Sequence, residues 1–334
     1  MAERNEDGKQ LLRPVTKKNP KVNLFIIGVN KAGTSWLYHL LKEHPQINMS
    51  DRKELYYFGE DYPNAMDKYH LHFDLYNKYL YYGEATPTYY RNPEIAYQIK
   101  EYNPSAKLLV IVRDPIDRFL SQFYFQKQIG SIPEKITLEK FFEGDTRFLL
   151  SDSHYEKTIP AYRRLYDSNQ LFMISFEQAK TDPEAVWQKL TEFLKVEPVP
   201  LPLPRDRSEN PTGSKWFRKI YRATIQPVKR RNYALYEAML KKRALRWTKL
   251  VLLKLTGLAK KEELSQEIKQ KLINEFESTY EYLKSLNISG ISPPGLKQTN
   301  IRNKSLESIH MAIRAPIAGV GKQAAVYGVG NVLS

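Results

Sequence analysis

The sequence predicts an α/β fold in which a central parallel sheet is flanked by helices. Three apolar runs, each followed by a helix pattern, support this prediction: NLFIIGV (23–29), KLLVIVRD (107–114) and LFMISFEQ (171–178). A continuous apolar run is typical of a strand that is buried on both faces. Strands that alternate with helices indicate a parallel sheet with right-handed crossovers.

Helix signals follow the predicted strands. SWLYHLLKEH (35–44) comes after the first strand, and Thr34 is predicted to cap it. TDPEAVWQKLTEFL (181–194) follows the third strand, with Asp182 as the predicted cap and Pro183 in the first helical turn. These helix-start signals predict that strands and helices alternate over the first two hundred residues.

Composition limits the class of protein. The chain has 334 residues, of which 42% are hydrophobic and 12% aromatic, and it contains no cysteine. Disulfides, cysteine nucleophiles and thiolate metal sites are therefore excluded. We see no secretory signal and no charge-free apolar run of about 18 residues, so the expectation is a soluble, cytoplasmic protein.

We expect three segments of different order. Residues 1–20 are polar and without periodicity, as in a disordered arm. Residues 21–289 are predicted to form the main domain, whose part 207–289 is basic and helical. Residues 290–334 form a loosely ordered tail.

The net charge of +15 is concentrated in residues 215–261, which hold fifteen lysines and arginines against one acid. Such a segment is either a solvated helical face or a surface for an anionic partner. Within it, ALRWTKLVLLKLTGLAKK (244–261) has the pattern of a basic amphipathic helix that can lie on an anionic membrane, pack on the sheet or collect an acidic glycan. Nucleic acid is not expected, because no recognised nucleic-acid-binding module accompanies the charge.

The segment GVNKAGT, at the end of the first predicted strand, has the chemistry of an anion site. Gly28 and Gly33 permit a tight turn that leads into a helix N-terminus, and Lys31 adds a charge. A triphosphate loop would carry a lysine directly after the second glycine, and no convincing magnesium-binding acid follows, since Asp114 directly precedes a proline. The pattern predicts a P-loop-like, three-layer fold that holds one 5′-phosphate without a metal.

A second loop, residues 113–121, follows the second predicted strand. Ligands of open α/β sheets lie beyond the carboxyl ends of the strands. The loops at 28–35 and 113–121 are therefore expected to form one site.

Four ordered segments carry a family resemblance. FIIGVNKAGTSWLYHLLKEHPQI and IVRDPIDRFLSQFY resemble the paired signature of sulfotransferases that use 3′-phosphoadenosine 5′-phosphosulfate. KELYYF (53–58) is similar to the K-E-P-H-F-F region of the heparan-sulfate-type and bacterial carbohydrate enzymes, and YGEATPTYY (82–90) to their G-E-K-[ST]-P-x-Y segment. The order agrees over residues 22–195.

The resemblance implies a role for each matching residue. Glu54 takes the place of the general base, with the alternative that it is only an exposed acid, and Lys31 steadies the transferred group. Arg113 and Ser121 would hold the 3′-phosphate, and the late segment ENPTGSKWFRK (209–219) resembles a loop that closes over the nucleotide. The remaining predicted donor-binding residues are Ala32, Gly33, Thr34, Ser35, Trp36, Ser214 and Lys215.

The predicted acceptor side departs from the family pattern. Tyr56 stands where the family has a histidine, and Ala85 where it has a lysine that engages the acceptor. Glu84, Tyr56 and Tyr89 are predicted to contact the acceptor. For Glu84, a buried hydrogen-bond acceptor is an equally open alternative.

The implied function is transfer of a sulfuryl group to a hydroxyl of a bacterial carbohydrate, such as an exopolysaccharide, capsular or lipid-linked glycan. The tail RAPIAGVGKQAAVYGVGNVLS (314–334) resembles the lead-in to the first membrane helix of polysaccharide flippases, which suggests contact with export machinery at the inner face of the membrane. The alternatives are a non-catalytic glycan- or membrane-binding protein with this fold, or a P-loop kinase.

Overall fold

A parallel sheet forms the centre of the molecule. The computed structural model describes residues 21–202, apart from 75, 134, 145 and 146, and residues 264–294. Within these ranges, five parallel strands pair in the order β2–β3–β1–β4–β5. The strands are β1 (Leu24–Gly28), β2 (Ile47–Met49), β3 (Tyr81–Ala85), β4 (Lys107–Val112) and β5 (Leu171–Ser175).

Helices cover both faces of the sheet, which confirms the predicted α/β class. They are α1 (Thr34–Lys42), α2 (Met66–His70), α3 (Pro93–Tyr102), α4 (Pro115–Ile129), α5 (Leu138–Phe142), α6 (Arg147–Leu150), α7 (Tyr155–Leu165), α8 (Phe176–Thr181), α9 (Pro183–Leu194), α10 (Gln266–Glu275) and α11 (Glu277–Ser285). Short helical turns lie at Tyr57–Asp61, Tyr89–Arg91 and Ser151–Ser153.

The central strands are the ones whose apolar runs the sequence shows. All of β1 is buried, as are the last five residues of β4, because helices pack above and below them. The third predicted strand, in contrast, stops at Ser175. The Ser175 hydroxyl accepts a hydrogen bond from the Gln178 amide, so the chain turns directly into α8.

Capping residues set where the helices begin. Asp182 accepts a hydrogen bond from the Ala185 amide at 3.1 Å, and this confirms its predicted role. Asp114 caps α4 in the same way, through the Asp117 amide. At α1 the prediction is wrong: Gly33 precedes the helix, and Thr34 is its first residue.

The last two described helices support α4. Phe119 and Phe123 of α4 form a second hydrophobic cluster with Leu272 and Phe276. The Tyr280 hydroxyl donates to the Asp114 carboxylate at 2.9 Å. Chain segments about 150 residues apart therefore stabilise the start of α4.

Several predictions concern residues outside the described ranges. These are residues 1–20, the part 207–263 of the basic region and residues 295–334 of the tail, so their predicted order remains a prediction. The described residues up to Pro293 belong to one compact unit. In the described residues, every helix is too short or too polar to cross a bilayer.

Candidate functional site

The first loop, residues 28–35, runs from the end of β1 into α1 along the carboxyl edge of the sheet. Gly33 has a φ of 103°, and a Cβ at this position would lie 2.7 Å from Cδ2 of Phe176. Glycine is therefore required for both conformation and space. The free amides at the start of α1 are donors that suit an anion.

The second loop, residues 113–121, lies directly against the first. Nη1 of Arg113 donates to the Lys31 carbonyl at 3.1 Å, and its guanidinium lies over the Phe176 ring. The Tyr155 hydroxyl donates to the Arg113 carbonyl at 2.8 Å, so this buried tyrosine supports the loop. The structure thus brings the two predicted loops to one place.

Arg113 also holds an unused donor. Its Nε is buried and has no hydrogen-bond partner among the described residues. Its Nη2 lies 3.7 Å from the Asp117 carboxylate, which is partly exposed. Because buried donors are nearly always paired in folded proteins, this atom indicates a place for an external acceptor such as a phosphate oxygen.

Helix α4 lies beside both Lys31 and Arg113. Ser121 lies on α4, eight residues after Arg113, and is partly exposed. One turn further, the Phe125 ring lies under the Lys31 ammonium, with Nζ 3.1 Å from the ring centroid. Such a cation–π contact holds the lysine at the edge of the site.

The other predicted donor residues differ in exposure. The side chains of Ala32 and Thr34 are buried, so these residues can offer mainly their backbone amides. Ser35 and Trp36 are partly exposed. Ser214 and Lys215 lie outside the described residues.

A third segment, the Glu54 loop (residues 50–56), follows β2 and reaches the first loop. Nζ of Lys53 donates to Oγ of Ser35 at 2.7 Å. No sequence pattern assigns Lys53 a function. Its place next to Glu54 was the available signal, but only the fold shows that it meets the start of α1.

Glu54 itself is exposed and firmly anchored through its backbone. Its amide donates to the Ala85 carbonyl at the end of β3, at 2.8 Å. Its carboxylate accepts a hydrogen bond from the Tyr56 hydroxyl, which lies 2.8 Å from Oε2. An anchored, solvent-accessible carboxylate beside the first loop is suited to accept a proton.

Glu84 and Tyr89 require a correction to their predicted contact with the acceptor. Both are buried, with 0% and 1% of their surface exposed. The Glu84 carboxylate accepts hydrogen bonds from the hydroxyls of Tyr69, Thr86 and Tyr89. Burial raises the pKa of Glu84 to about 7, and these hydroxyls only partly offset it. Glu84 is therefore a buried hydrogen-bond acceptor, which is the alternative left open above.

The buried network lies beneath the Glu54 loop. The Tyr89 hydroxyl also accepts from the Phe58 amide at 3.2 Å, just after that loop. Ala85, whose carbonyl anchors Glu54, directly follows Glu84 in β3. The network thus holds both ends of the segment that presents Glu54.

No metal centre is visible in residues 21–202 and 264–294. Among these residues, no group of three or more carboxylates and histidines has an arrangement that could hold a metal ion. Asp114, which the sequence already disfavours as a magnesium-binding acid, is engaged as the cap of α4 and as the acceptor for Tyr280.

Comparison with known proteins identifies the family. The family model described as "Sulfotransferase domain" matches residues 21–285. A crystallised sulfotransferase from Alicyclobacillus acidocaldarius superposes with a TM-score of 0.53 and 19% identity, covering 80% of this chain and 96% of that one. At this identity, the superposition shows the fold alone.

Curated relatives match shorter parts. The membrane-associated sulfotransferase kil1 of Dictyostelium discoideum is 39% identical over 125 residues, which cover 36% of this chain and 26% of that protein. Human heparan sulfate glucosamine 3-O-sulfotransferase 5 is 26% identical over 204 residues, or 56% of each chain. The chain thus spans little more than half the length of these relatives at most. Since the family match extends over most of the 334 residues, the protein belongs to the sulfotransferase domain family.

Proposed function

We propose that this protein is an enzyme that transfers a sulfuryl group from 3′-phosphoadenosine 5′-phosphosulfate to a hydroxyl of a carbohydrate. The observation that carries the proposal is the meeting of three segments at one sheet edge. Arg113 contacts the first loop at Lys31, and Lys53 contacts it at Ser35, which brings Glu54 next to the same loop. Adenosine 3′,5′-bisphosphate would be the product.

The donor substrate has complementary groups in this arrangement. The amides at the start of α1 and the Ser35 hydroxyl suit the 5′-phosphosulfate. The buried, unpaired Nε of Arg113 suits the 3′-phosphate, with Ser121 on the following helix α4 as a second donor. Ser214 and Lys215 remain proposed contacts from the sequence.

The proposed chemistry is an in-line displacement. The acceptor oxygen forms a bond to sulfur while the bond between sulfur and the 5′-phosphate oxygen breaks, and the acceptor proton goes to Glu54. Negative charge grows on the leaving phosphate, where Lys31 and Lys53 can stabilise it. Lys31 reaches this charge by moving off the Phe125 ring.

The carbohydrate class is supported by relatives whose names specify heparan sulfate. The acceptor of this chain differs in at least one contact, because the family lysine is replaced by Ala85, which is completely buried. An exopolysaccharide, capsular or lipid-linked glycan, modified at the inner face of the membrane, fits the basic composition of residues 215–261.

The test is a screen of bacterial glycans with donor labelled in the sulfuryl group. We expect the wild type to label at least one glycan, and Lys31→Ala to lose the labelling while remaining folded. If the wild type binds adenosine 3′,5′-bisphosphate but labels no glycan, the non-catalytic alternative replaces the proposal. Metal-dependent preference for ATP would instead indicate a kinase.

A further inference from the structure

Tyr56 and Glu54 form a hydrogen-bonded pair in which both residues have an unusual backbone conformation. The Tyr56 hydroxyl donates to Oε2 of Glu54 at 2.8 Å. Both residues have positive φ values, 56° for Tyr56 and 62° for Glu54, although neither is glycine. Such a conformation is unfavourable for these residues, and it persists only where the surroundings impose it.

The surroundings that impose this conformation are visible on both sides. At the start of the pair, the Glu54 amide donates a hydrogen bond to the Ala85 carbonyl at 2.8 Å. Directly after the pair in the chain, Tyr57 and Phe58 are buried, and the Phe58 amide donates to the Tyr89 hydroxyl. The backbone between these anchors turns the two side chains toward each other.

The pair leaves one oxygen of the carboxylate available. Among the described residues, Tyr56 is the one side chain that bonds the Glu54 carboxylate, and it uses Oε2. A base needs one oxygen directed at the proton that it removes. The half-buried phenol has only two rotatable side-chain bonds, so it can hold the longer glutamate in one orientation at little entropic cost.

Three charged groups act electrostatically on the phenol: Glu54, Glu60 and Arg91. Burial, followed by the charge of Glu54, holds the pKa of Tyr56 well above its ordinary value, while Arg91 acts weakly in the opposite direction. The phenol therefore keeps its proton across the neutral range and serves as a donor to the carboxylate.

We propose that Tyr56 is a positioning residue, which acts on sulfuryl transfer through Glu54 by fixing Oε2 and directing Oε1 at the acceptor hydroxyl. This inference rests on the proposed function. The acceptor proton goes to Oε1 of Glu54, and Tyr56 keeps its own proton throughout. The role differs from the contact with the acceptor that the sequence predicts for Tyr56.

The experiment uses Tyr56→Phe in the full chain, with Tyr57→Phe as the matched control. The Tyr57 hydroxyl makes only a long contact, 3.5 Å, with the Pro63 carbonyl. We expect Tyr56→Phe to lower kcat about ten- to a hundredfold, the usual effect of losing a hydrogen bond to a charged group. The KM values for the donor and for the glycan labelled in the screen should stay within twofold, and Tyr57→Phe should be close to wild type.

A double-mutant cycle with Glu54→Gln separates positioning from other effects. If Tyr56 acts through Glu54, adding Tyr56→Phe to Glu54→Gln causes little further loss. An equal loss in both backgrounds would overturn the inference, as would a raised glycan KM with unchanged kcat, which marks direct contact with the acceptor. If Glu54→Gln alone is fully active, Glu54 is not the base and Tyr56 cannot act through it. If the wild type labels no glycan, both the proposed function and this inference are wrong.

Discussion

The donor side of the candidate site lies at the ends of β1 and β4, in the middle of the sheet, whereas the acceptor side lies on the Glu54 loop after the edge strand β2. On the donor side, charged groups such as Arg113 are largely enclosed and contact backbone directly. On the acceptor side, exposed Glu54 lies above a second glutamate, Glu84, that is completely buried. Two glutamates near one sheet edge thus have opposite environments.

The contrast teaches that residue type alone does not assign a role. The exposed carboxylate of Glu54 can meet the proton of an incoming acceptor. Burial raises the pKa of the Glu84 carboxyl to about 7, and the three hydroxyls around it make it a structural acceptor. Substituting each glutamate should therefore change a different property of the protein.

The largest expected effect is the loss of turnover in Glu54→Gln. Removing a general base typically slows the chemical step by about 10²- to 10⁴-fold. Affinity for adenosine 3′,5′-bisphosphate, measured by calorimetry, should not change, because Glu54 lies on the acceptor side. Glu60→Gln, which alters a neighbouring exposed carboxylate, serves as the control. Near-normal turnover in Glu54→Gln would remove the distinction between the two glutamates.

The next largest effect is the contribution of Glu84 to the pH dependence of the free energy of unfolding. Its folded-state pKa is about 7 and its ordinary value is 4.5, so the folded protein retains a proton that the unfolded chain has lost. The free energy of unfolding should therefore fall as the pH rises from about 4.5 to 7, by ~3 kcal/mol from this group.

Denaturant titrations between pH 4.5 and 8 measure this slope. Glu84→Gln should flatten it, because glutamine carries no titrating proton, and its one carbonyl oxygen can still accept from the Tyr69 and Tyr89 hydroxyls. Glu54→Gln should leave the slope in place. If Glu84→Gln keeps the slope and Glu54→Gln loses it, the assignment of the buried, titrating carboxyl to Glu84 is wrong.

The smallest expected effect belongs to Ser121→Ala. A neutral hydrogen bond contributes about 1 kcal/mol, so affinity for adenosine 3′,5′-bisphosphate should weaken roughly fivefold. Affinity for adenosine 5′-monophosphate, which lacks the 3′-phosphate, should stay the same, and Ser131→Ala just beyond α4 is the control. An equal loss for both nucleotides would place Ser121 away from the 3′-phosphate.

The fold and the meeting of the two loops were accessible from the sequence because their signals are local. Apolar runs predict β1 and β4, and the glycine loop with Arg113 lies directly after them. Strands β2 and β3 escaped prediction because one has three residues and the other contains Gly83 and Glu84, so neither shows a clear apolar run.

The acceptor side depends on contacts between distant segments, and these carry no local signal. The burial of Glu84 requires Tyr69 from α2 and Tyr89 from the turn after β3. Likewise, Lys53 and Ser35 meet only because the Glu54 loop folds over the start of α1. The sequence pattern could identify Glu84 as a candidate, but it could not predict whether its side chain is exposed to an acceptor or buried in the core.

The most direct test of the central claim, that the two loops form one donor site, is a calorimetric comparison of nucleotides in wild type and Arg113→Lys. We predict that the wild type prefers adenosine 3′,5′-bisphosphate over adenosine 5′-monophosphate. Arg113→Lys should reduce this preference about ten- to a hundredfold, since lysine cannot reproduce the guanidinium fork. An unchanged preference in Arg113→Lys, with both proteins equally stable, would contradict the account.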